Sequence, residues 1–420
     1  MIKKFFTLML APLLLAACTS ENDPETGVNH EDGQQGESPE WMLTTRLDLT
    51  SGEEGNMNVL NEFGYRLMAE TQASSANGEF CVSPLSVSVY LGMFANATSG
   101  DVHNEILDAI GIDGIEGFNT LNEKLMHYLP CDENGSSIDI ANRFWVKDIF
   151  KVPDAFGTLV SNVFNADVEY VDFTDSSTVP SINRWVSDRT RGKIPALLDG
   201  DWEKYVDLNM ASANTVYFKG DWQSMFDPDD SFTGQFRGKS GISDVRMMRK
   251  SLPAGYAENG NVRMVTLDFS GYANAMELYL PSEGTDICDL ASVLTAKSCA
   301  ELRESVRTYD VAVTLPAFKK SDEPDLLNIL AGMGIKSLEN ADFAPMGLGV
   351  LHATLIHKTS VKIDERGAEL AAVTGGIDLV LPPETADYPK MKIDFDRPFL
   401  YIVRNIKTGA ILMAGAVTEI

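Results

Sequence analysis

The sequence has few of the side chains on which catalysis and metal binding usually depend. Its 420 residues include five histidines and five cysteines, and no His-Glu-x-x-His, Walker, Gly-x-Gly-x-x-Gly or Gly-x-Ser-x-Gly pattern occurs. A histidine-assisted nucleophile therefore has few candidates, although the 61 acidic residues leave a carboxylate pair open. We predict no metal ion and no cofactor.

Positive charge is scarce as well. The chain has 34 lysine and arginine residues against 61 aspartate and glutamate residues, which gives a formal net charge of −27. Binding to nucleic acid requires a basic surface, so this balance excludes nucleic acid as a partner. An acidic surface mainly keeps the protein soluble.

The N-terminus has the layout of an export signal. Residues 1–17 combine two lysines with an apolar run that is too short for a stable membrane span. The residues before Cys18 resemble the bacterial lipobox, which implies cleavage and lipidation at Cys18; an ordinary signal with a chance cysteine is the alternative. Residues 18–45 hold seven acids and no lysine or arginine, which predicts a disordered tether. We expect a lipid-anchored protein of the bacterial cell envelope, at the outer membrane or the cell surface.

The cysteines beyond the tether match no metal-binding spacing. Buried free thiols are the default for such residues, and we predict no disulfide. These residues are Cys81, Cys131, Cys288 and Cys299.

Hydrophobic periodicity predicts an α+β domain. Apolar residues recur at helical spacing in 58–71 and 101–110, and a Ser-Pro pair at 83–84 predicts a capped, buried helix. No repeat or linker divides the chain after residue 45, so we predict one domain over 46–420 with large antiparallel or mixed sheets. The predicted strands are 138–146, 262–269, 275–280, 311–315, 401–403 and 411–417, the last two joined as a hairpin.

The segment Val361–Pro383 fits two structures. Val361 and Ile363 alternate with polar residues as in a half-buried strand, and no proline occurs before position 382. Gly375-Gly376 and the closing pair of prolines favour an exposed loop instead. A segment that can be either strand or loop indicates a conformational switch.

Six separated stretches resemble characteristic segments of the serpin family, and they occur in the family's order. One such motif would be weak evidence, but six in order identify the region from about Asn58 to Thr418 as similar to a serpin. The stretches are FCVSPLSVSVYLGMFANAT, INRWVSDRTRGKIPALL, NTVYFKGDWQSMFD, VTLPAF, IHKTSVKIDERGAE and FDRPFLYIVRNIKTGAILMAGAV.

The resemblance implies an α+β fold with three β-sheets, about nine helices and an exposed reactive-centre loop. It implies a protein that is not an enzyme but a suicide-substrate inhibitor of serine endopeptidases, with papain-like cysteine endopeptidases as a second target class. The target cleaves the loop, which inserts as a central strand and traps the acyl-enzyme. We expect a monomer whose partner is an elastase-like, subtilisin-like or papain-like endopeptidase.

The resemblance also assigns the hinge, where the loop begins. An inserted strand alternates its side chains between two faces, and small inward residues let it slide between its neighbours. Leu370 is larger than the family's usual residue and could slow insertion. The hinge residues are Glu365, Gly367, Ala368, Glu369, Leu370, Ala371, Ala372 and Thr374. With Glu369 in solvent, the inward positions are Ala368, Leu370, Ala372 and Thr374.

The reactive bond follows from a count along the loop. In the family it lies about sixteen residues beyond the hinge glutamate, which from Glu365 reaches Leu381. Pro382 follows, and a bond before proline is a poor protease substrate. We therefore favour cleavage between Val380 and Leu381 or between Leu379 and Val380, with the bond before Pro382 third. A count back from the Phe-Asp-Arg-Pro-Phe motif disagrees and points to position 387 or 388.

Motif matching places four polar residues at the family's shutter, a hydrogen-bonded cluster beneath the sheet: Ser83, Ser86, Asn214 and His357. Trp222 falls at the breach, where the loop first enters the sheet. From the residues alone, His357 lies in an apolar run and is interpreted as a hydrogen-bonded core histidine, with a catalytic base or metal ligand as the alternative. Such a polar set would satisfy its hydrogen bonds in any fold.

Two other functions stay open. A non-inhibitory serpin that binds or carries a ligand is favoured by Leu370 and by Gly375-Gly376. An envelope hydrolase has no motif in its favour.

Overall fold

The computed structural model describes residues 49–133, 135–288, 294–351, 355–369 and 388–420, with the backbone alone for Glu133, Glu339 and Glu369. The chain divides into two units, Met1–Leu43 and Thr44–Ile420, and all described residues belong to the second.

The described residues form eight α-helices, close to the number of about nine that the resemblance implies. Ser83 caps the second helix as predicted, because its Oγ accepts a hydrogen bond of 3.2 Å from the backbone N–H of Ser86. The helices are α1 (Ser51–Ser74), α2 (Pro84–Ala97), α3 (Asp101–Ile110), α4 (Ile115–Tyr128), α5 (Asp154–Phe164), α6 (Thr178–Arg189), α7 (Ala296–Glu304) and α8 (Leu326–Gly332).

Eighteen strands occur in the same part of the chain. They are β1 (Phe80–Val82), β2 (Cys131–Glu133), β3 (Ser136–Lys147), β4 (Ala166–Val171), β5 (Met210–Asp221), β6 (Phe232–Arg237), β7 (Ile242–Glu258), β8 (Val262–Asp268), β9 (Asn274–Pro281), β10 (Arg307–Pro316), β11 (Phe318–Asp322), β12 (Ala341–Asp342), β13 (Val350–Leu351), β14 (Thr359–Ile363), β15 (Gly367–Glu369), β16 (Lys390–Asp394), β17 (Phe399–Asn405) and β18 (Ile411–Val417).

The strands build three sheets. A seven-stranded sheet has the order β11-β14-β15-β5-β3-β2, and β4 runs parallel to β3 at the same edge as β2. A nine-stranded sheet has the order β1-β18-β17-β9-β8-β7-β10-β16, with β6 beside β7. Strands β12 and β13 form a separate pair. Both large sheets are mainly antiparallel, with parallel pairs at β3–β4 and β10–β16.

Helix α2 occupies the centre of the core. Every one of its residues except Asn96 is buried, and the helix packs against β5 of one large sheet and β18 of the other. A helix that is apolar on all sides must be enclosed in this way. A smaller cluster around Trp145 and Phe173 lies where α6 packs on β3 and β5.

The structure confirms most of the predicted elements. Helix α3 has the predicted bounds, and the six predicted strands lie within or overlap β3, β8, β9, β10, β17 and β18. Among the described residues, Cys81, Cys131, Cys288 and Cys299 form no disulfide, but the default of full burial is wrong for Cys131 and Cys288, which are half-buried. Among the described residues, no helix is long and apolar enough to cross a membrane.

Candidate functional site

Strand β14 turns back on itself at the predicted hinge. Asp364 and Gly367 exchange backbone hydrogen bonds of 3.0 and 3.2 Å, which closes a tight turn of two residues. The returning strand β15 lies between β14 and β5, with Ala368 opposite Ile363 on one side and Gly220 on the other. The first residues beyond the turn are therefore already part of the seven-stranded sheet.

The space for β15 is narrow. A Cβ atom on Gly367 would lie 2.1 Å from the carbonyl oxygen of Gly220, so glycine is required at this close approach of two backbones. Ala368 is 3% exposed, in agreement with the inward orientation predicted from the alternation. A small side chain fits between the neighbouring strands at this position.

Glu365 fixes one side of the hinge turn. Its Oε1 accepts hydrogen bonds from Ser231 Oγ at 2.8 Å and from Arg246 Nε at 2.5 Å, and its carbonyl accepts one of 2.9 Å from the backbone N–H of Phe226. Burial raises the pKa of Glu365, but hydrogen bonds from its own backbone, Arg246 and Ser231 outweigh that effect and hold the pKa below its usual value. The carboxylate is therefore charged at neutral pH.

Trp222 lies directly under the turn, at the predicted breach. Its indole Nε1 donates a hydrogen bond of 3.0 Å to the carbonyl of Asp364, and its backbone N–H donates one of 2.8 Å to the carbonyl of Arg366. The indole ring, 2% exposed, stacks on Phe269 with 4.7 Å between ring centroids. The side chain and backbone of Trp222 thus support the turn together.

The four predicted shutter residues form one chain of hydrogen bonds. The backbone N–H of Ser83 donates to His357 Nε2 at 3.2 Å, and Ser83 Oγ donates to the carbonyl of Leu412 at 2.6 Å. The hydroxyl of Ser86 donates to Asn214 Oδ1. The cluster therefore connects α2 with β5 and with the segment that leads into β14.

His357 is a neutral, buried histidine. It is 7% exposed, and burial lowers its pKa to about 4, because a charged imidazolium would lose its hydration there. The unprotonated Nε2 can accept the hydrogen bond from Ser83, whereas a protonated Nε2 could not.

Comparison with known protein families identifies the family to which this chain belongs. A family model described as Serpin (serine protease inhibitor) matches residues 58–420. This chain belongs to the serpin family. The family is one of protease inhibitors rather than of enzymes.

Curated relatives cover nearly the whole serpin chain. The neuroserpin of Homo sapiens is 30% identical over 398 residues, which cover 90% of this chain and 95% of that protein. The leukocyte elastase inhibitor of Xenopus tropicalis is 30% identical over 377 residues, which cover 85% and 97%. Both are animal proteins, so they lend no support to the prediction of a bacterial lipoprotein.

Solved structures show the same fold. Native protease nexin-1 with heparin matches with a TM-score of 0.77 at 24% identity, over 88% of this chain and all of that chain (100%). The thermophilic serpin tengpin in the native state matches with a TM-score of 0.76 at 23% identity, over 90% and 96% of the two chains. The predicted α+β serpin fold is confirmed.

A small cavity lies between β5 and β14 of this serpin. Its volume is about 20 Å³, and the shutter residues line it together with the segment after α6 and both strands. Among the described strands, β14 and β5 pair with β15 but not with each other. In the described residues, the short β15 is therefore the strand that joins β14 to β5.

Sequence reasoning missed Asn142, which extends the shutter cluster. Its Oδ1 accepts a hydrogen bond of 2.6 Å from Asn214 Nδ2, and its own Nδ2 donates one of 2.5 Å to the carbonyl of Phe164. Asn142 is 1% exposed. A polar residue inside the apolar strand pattern of 138–146 was the available signal, because a buried amide requires partners.

Part of the predicted site lies outside the described residues. This holds for the rest of the hinge, the candidate reactive bonds and the lipidation site, whose roles stay predictions. They are Leu370, Ala371, Ala372, Thr374, Leu379, Val380, Leu381, Pro382 and Cys18. Within the described ranges, no group of three or more His, Cys, Asp or Glu side chains could hold a metal ion.

Proposed function

We propose that this serpin inhibits serine endopeptidases as a suicide substrate. The observation that carries the proposal is the position of β15: Ala368 already pairs with both β14 and β5, and Gly367 pairs with β5, while the described parts of those two strands do not pair with each other. A continuation of β15 could pair with β14 on one side and with β5 on the other. The name of a relative, leukocyte elastase inhibitor, supports an inhibitory function.

The proposed reaction uses the protease's own chemistry. The catalytic serine attacks the carbonyl of the reactive bond, the peptide C–N bond breaks, and the leaving amine takes a proton, which gives an acyl-enzyme. The cleaved loop then inserts between β14 and β5 and carries the acylated protease with it before water hydrolyses the ester. We propose cleavage between Val380 and Leu381 or between Leu379 and Val380, with the bond before Pro382 third.

Apolar residues around these bonds favour elastase-like and subtilisin-like serine endopeptidases. A papain-like cysteine endopeptidase would form a thioester in the same way.

Complex formation with such enzymes tests the proposal. The protein is mixed with neutrophil elastase, pancreatic elastase, subtilisin and papain, and we expect a covalent complex that survives denaturing electrophoresis. Ala368→Arg is the matched variant, because a long charged side chain cannot enter the buried position of Ala368. It should be cleaved in the loop without forming the complex. Clean cleavage of the unmodified protein without any complex would contradict the proposal.

A non-inhibitory binding or carrier function is the alternative, and the bulk of Leu370 and the Gly375-Gly376 pair favour it. It predicts that loop cleavage leaves the melting temperature unchanged, because no strand inserts.

We also propose that the mature protein is a monomer tethered to a bacterial envelope through lipid on Cys18, at the outer membrane or the cell surface. The basis is the sequence of residues 1–45. Radiolabelled palmitate should be incorporated into the protein but not into Cys18→Ser, and labelling of both would contradict lipidation at this cysteine.

A further inference from the structure

We propose that Asp221 is a positioning residue for loop insertion. Its ion pair with Arg366 holds the hinge turn against β5, so that Gly367 and Ala368 stay within the sheet before any protease is bound. The inference rests on the proposed inhibitory function and adds to it the interaction that sets where insertion begins.

Asp221 contacts the hinge region both through its side chain and through its backbone. The Nε of Arg366 lies 3.3 Å from Asp221 Oδ1, and Asp221 is also the cross-strand partner of Gly367. The next residue of the chain, Trp222, donates its backbone N–H to the carbonyl of Arg366 at 2.8 Å. A side-chain contact thus holds Arg366, and backbone contacts hold Arg366 and Gly367.

The carboxylate of Asp221 lies close to two positively charged side chains, those of Lys219 and Arg366. The same Oδ1 lies 3.6 Å from the Nζ of Lys219, whose side chain is 6% exposed, while that of Asp221 is 13% exposed. Charges with so little solvent around them are weakly screened. Without the carboxylate, Lys219 and Arg366 would face each other as two positive charges, and the half-exposed Arg366 would move away.

The opposite side of the turn is held by other elements. Glu365 binds Arg246 of β7 and Ser231, whereas its neighbour Arg366 binds Asp221 of β5. Glu365 and Arg366 are adjacent and oppositely charged, and their side chains bind different parts of the fold. This fixes the orientation of the turn and directs the chain that follows Gly367 into the space between β14 and β5.

A preformed start matters because insertion competes with hydrolysis of the acyl-enzyme. Adding residues to an existing ladder fixes fewer torsions per hydrogen bond than starting a new one, as in other cooperative backbone transitions. Loss of the ion pair should free the start of β15, slow insertion and turn more inhibitor into cleaved substrate.

Amide hydrogen exchange on the uncleaved protein tests this without any protease. The variants are Asp221→Asn, Arg366→Gln and the double variant, with Asp167→Asn as the matched control. Asp167 forms an ion pair of 2.8 Å with Arg143 in the same sheet, away from the hinge. We expect exchange in peptides covering 367–369 to be about twofold to fivefold faster in both single variants, with no further increase in the double variant.

The stoichiometry of inhibition is then measured with the protease that gives the most complex. It should rise in both single variants and stay unchanged in Asp167→Asn. Exchange in Arg366→Gln equal to that of the unmodified protein, or an equal increase in Asp167→Asn, would overturn the proposal. Faster exchange with unchanged stoichiometry would overturn the role in insertion.

Two further outcomes distinguish a failure of this inference from a folding defect and from a failure of the proposed function. If Asp221→Asn does not fold, Arg366→Gln decides alone, because it leaves the contact between Lys219 and Asp221 in place. If the unmodified protein forms no complex with any protease, the proposed function fails, and the exchange measurement still decides whether Asp221 holds the hinge.

Discussion

Among single side chains, His357 is a member of the shutter cluster that gains a charge when the pH falls far enough. Its neutral imidazole accepts the hydrogen bond from Ser83, and burial lowers its pKa to about 4 from an ordinary value of 6.5. In the unfolded chain the histidine binds a proton at the higher pH. The native state therefore binds fewer protons than the unfolded state between these two values, so stability rises with pH there.

We predict that His357 contributes stability that is complete above about pH 6.5 and is lost as the pH falls towards 4. The full effect would be about 3 kcal/mol, since each pKa unit corresponds to about 1.4 kcal/mol. Thermal unfolding at pH 7.5, 6.5, 5.5 and 4.5 measures it as the difference between the protein and His357→Gln, which can still accept a hydrogen bond.

The difference between the two proteins is needed because other groups titrate in this range. Burial raises the pKa of Asp268 to about 6, and such an acid acts in the opposite direction, since its protonation at lower pH favours the native state. This term is common to both proteins and cancels. A difference in melting temperature that stays constant from pH 7.5 to 4.5 would show that His357 does not titrate as predicted.

The short strand β15 depends on a glycine, and this gives a second prediction. A Cβ at position 367 would lie 2.1 Å from Gly220 O and 2.8 Å from the Cα of Asp221, and neither backbone atom can move without separating the strands. Gly367→Ala should therefore displace β15, reduce the yield of covalent complex severalfold and increase cleavage of the loop as a substrate.

Gly157 provides the matched control. It lies within α5, and a Cβ there would meet no atom within 4 Å. Gly157→Ala should leave inhibition unchanged and stabilise the helix by about 1 kcal/mol. Equal complex formation by Gly367→Ala and the unmodified protein would show that close packing at position 367 is not needed for inhibition.

Elements with strong local signals could be predicted from the sequence, and weakly marked elements could not. Helix α2 has its Ser-Pro start, and β8 and β9 show clear apolar runs. Helices α4 and α5 begin after Gly114 and Pro153, and neither start has a side-chain cap. A missing cap removes one local mark of a helix start but not the apolar spacing, which still predicted α3 after Gly100.

The candidate site, too, could be predicted only in part from the sequence, but for a different reason. Motif order predicted the roles of Glu365, Trp222 and the shutter residues, because these positions follow the family pattern. The partners Arg246 and Asp221 lie more than a hundred positions earlier in the chain than the hinge, and their contacts depend on how β14 and β15 align with β5 and β7. Such ion pairs depend on tertiary register, which a single sequence does not show.

The whole molecule combines a large core with a sheet in which the short β15 joins β5 to β14. Both large sheets pack around α2, whereas the shutter cavity and the short β15 occupy the space between these two strands. Filling this space with the cleaved loop would give β5 and β14 a common partner along their length. In the described residues, β5 and β14 share only the short β15 as a partner, so an inserted strand would add backbone hydrogen bonds.

We predict that cleavage in the loop raises the melting temperature strongly. About 20 new ladder hydrogen bonds at about 0.5 kcal/mol each would contribute about 10 kcal/mol, and about 2 °C per kcal/mol corresponds to a rise of about 20 °C. Differential scanning calorimetry before and after limited proteolysis measures it. Cleaved Ala368→Arg should show no such rise, since its buried hinge position cannot accept the charged side chain. An unchanged melting temperature in the cleaved, unmodified protein would favour the binding or carrier function over inhibition.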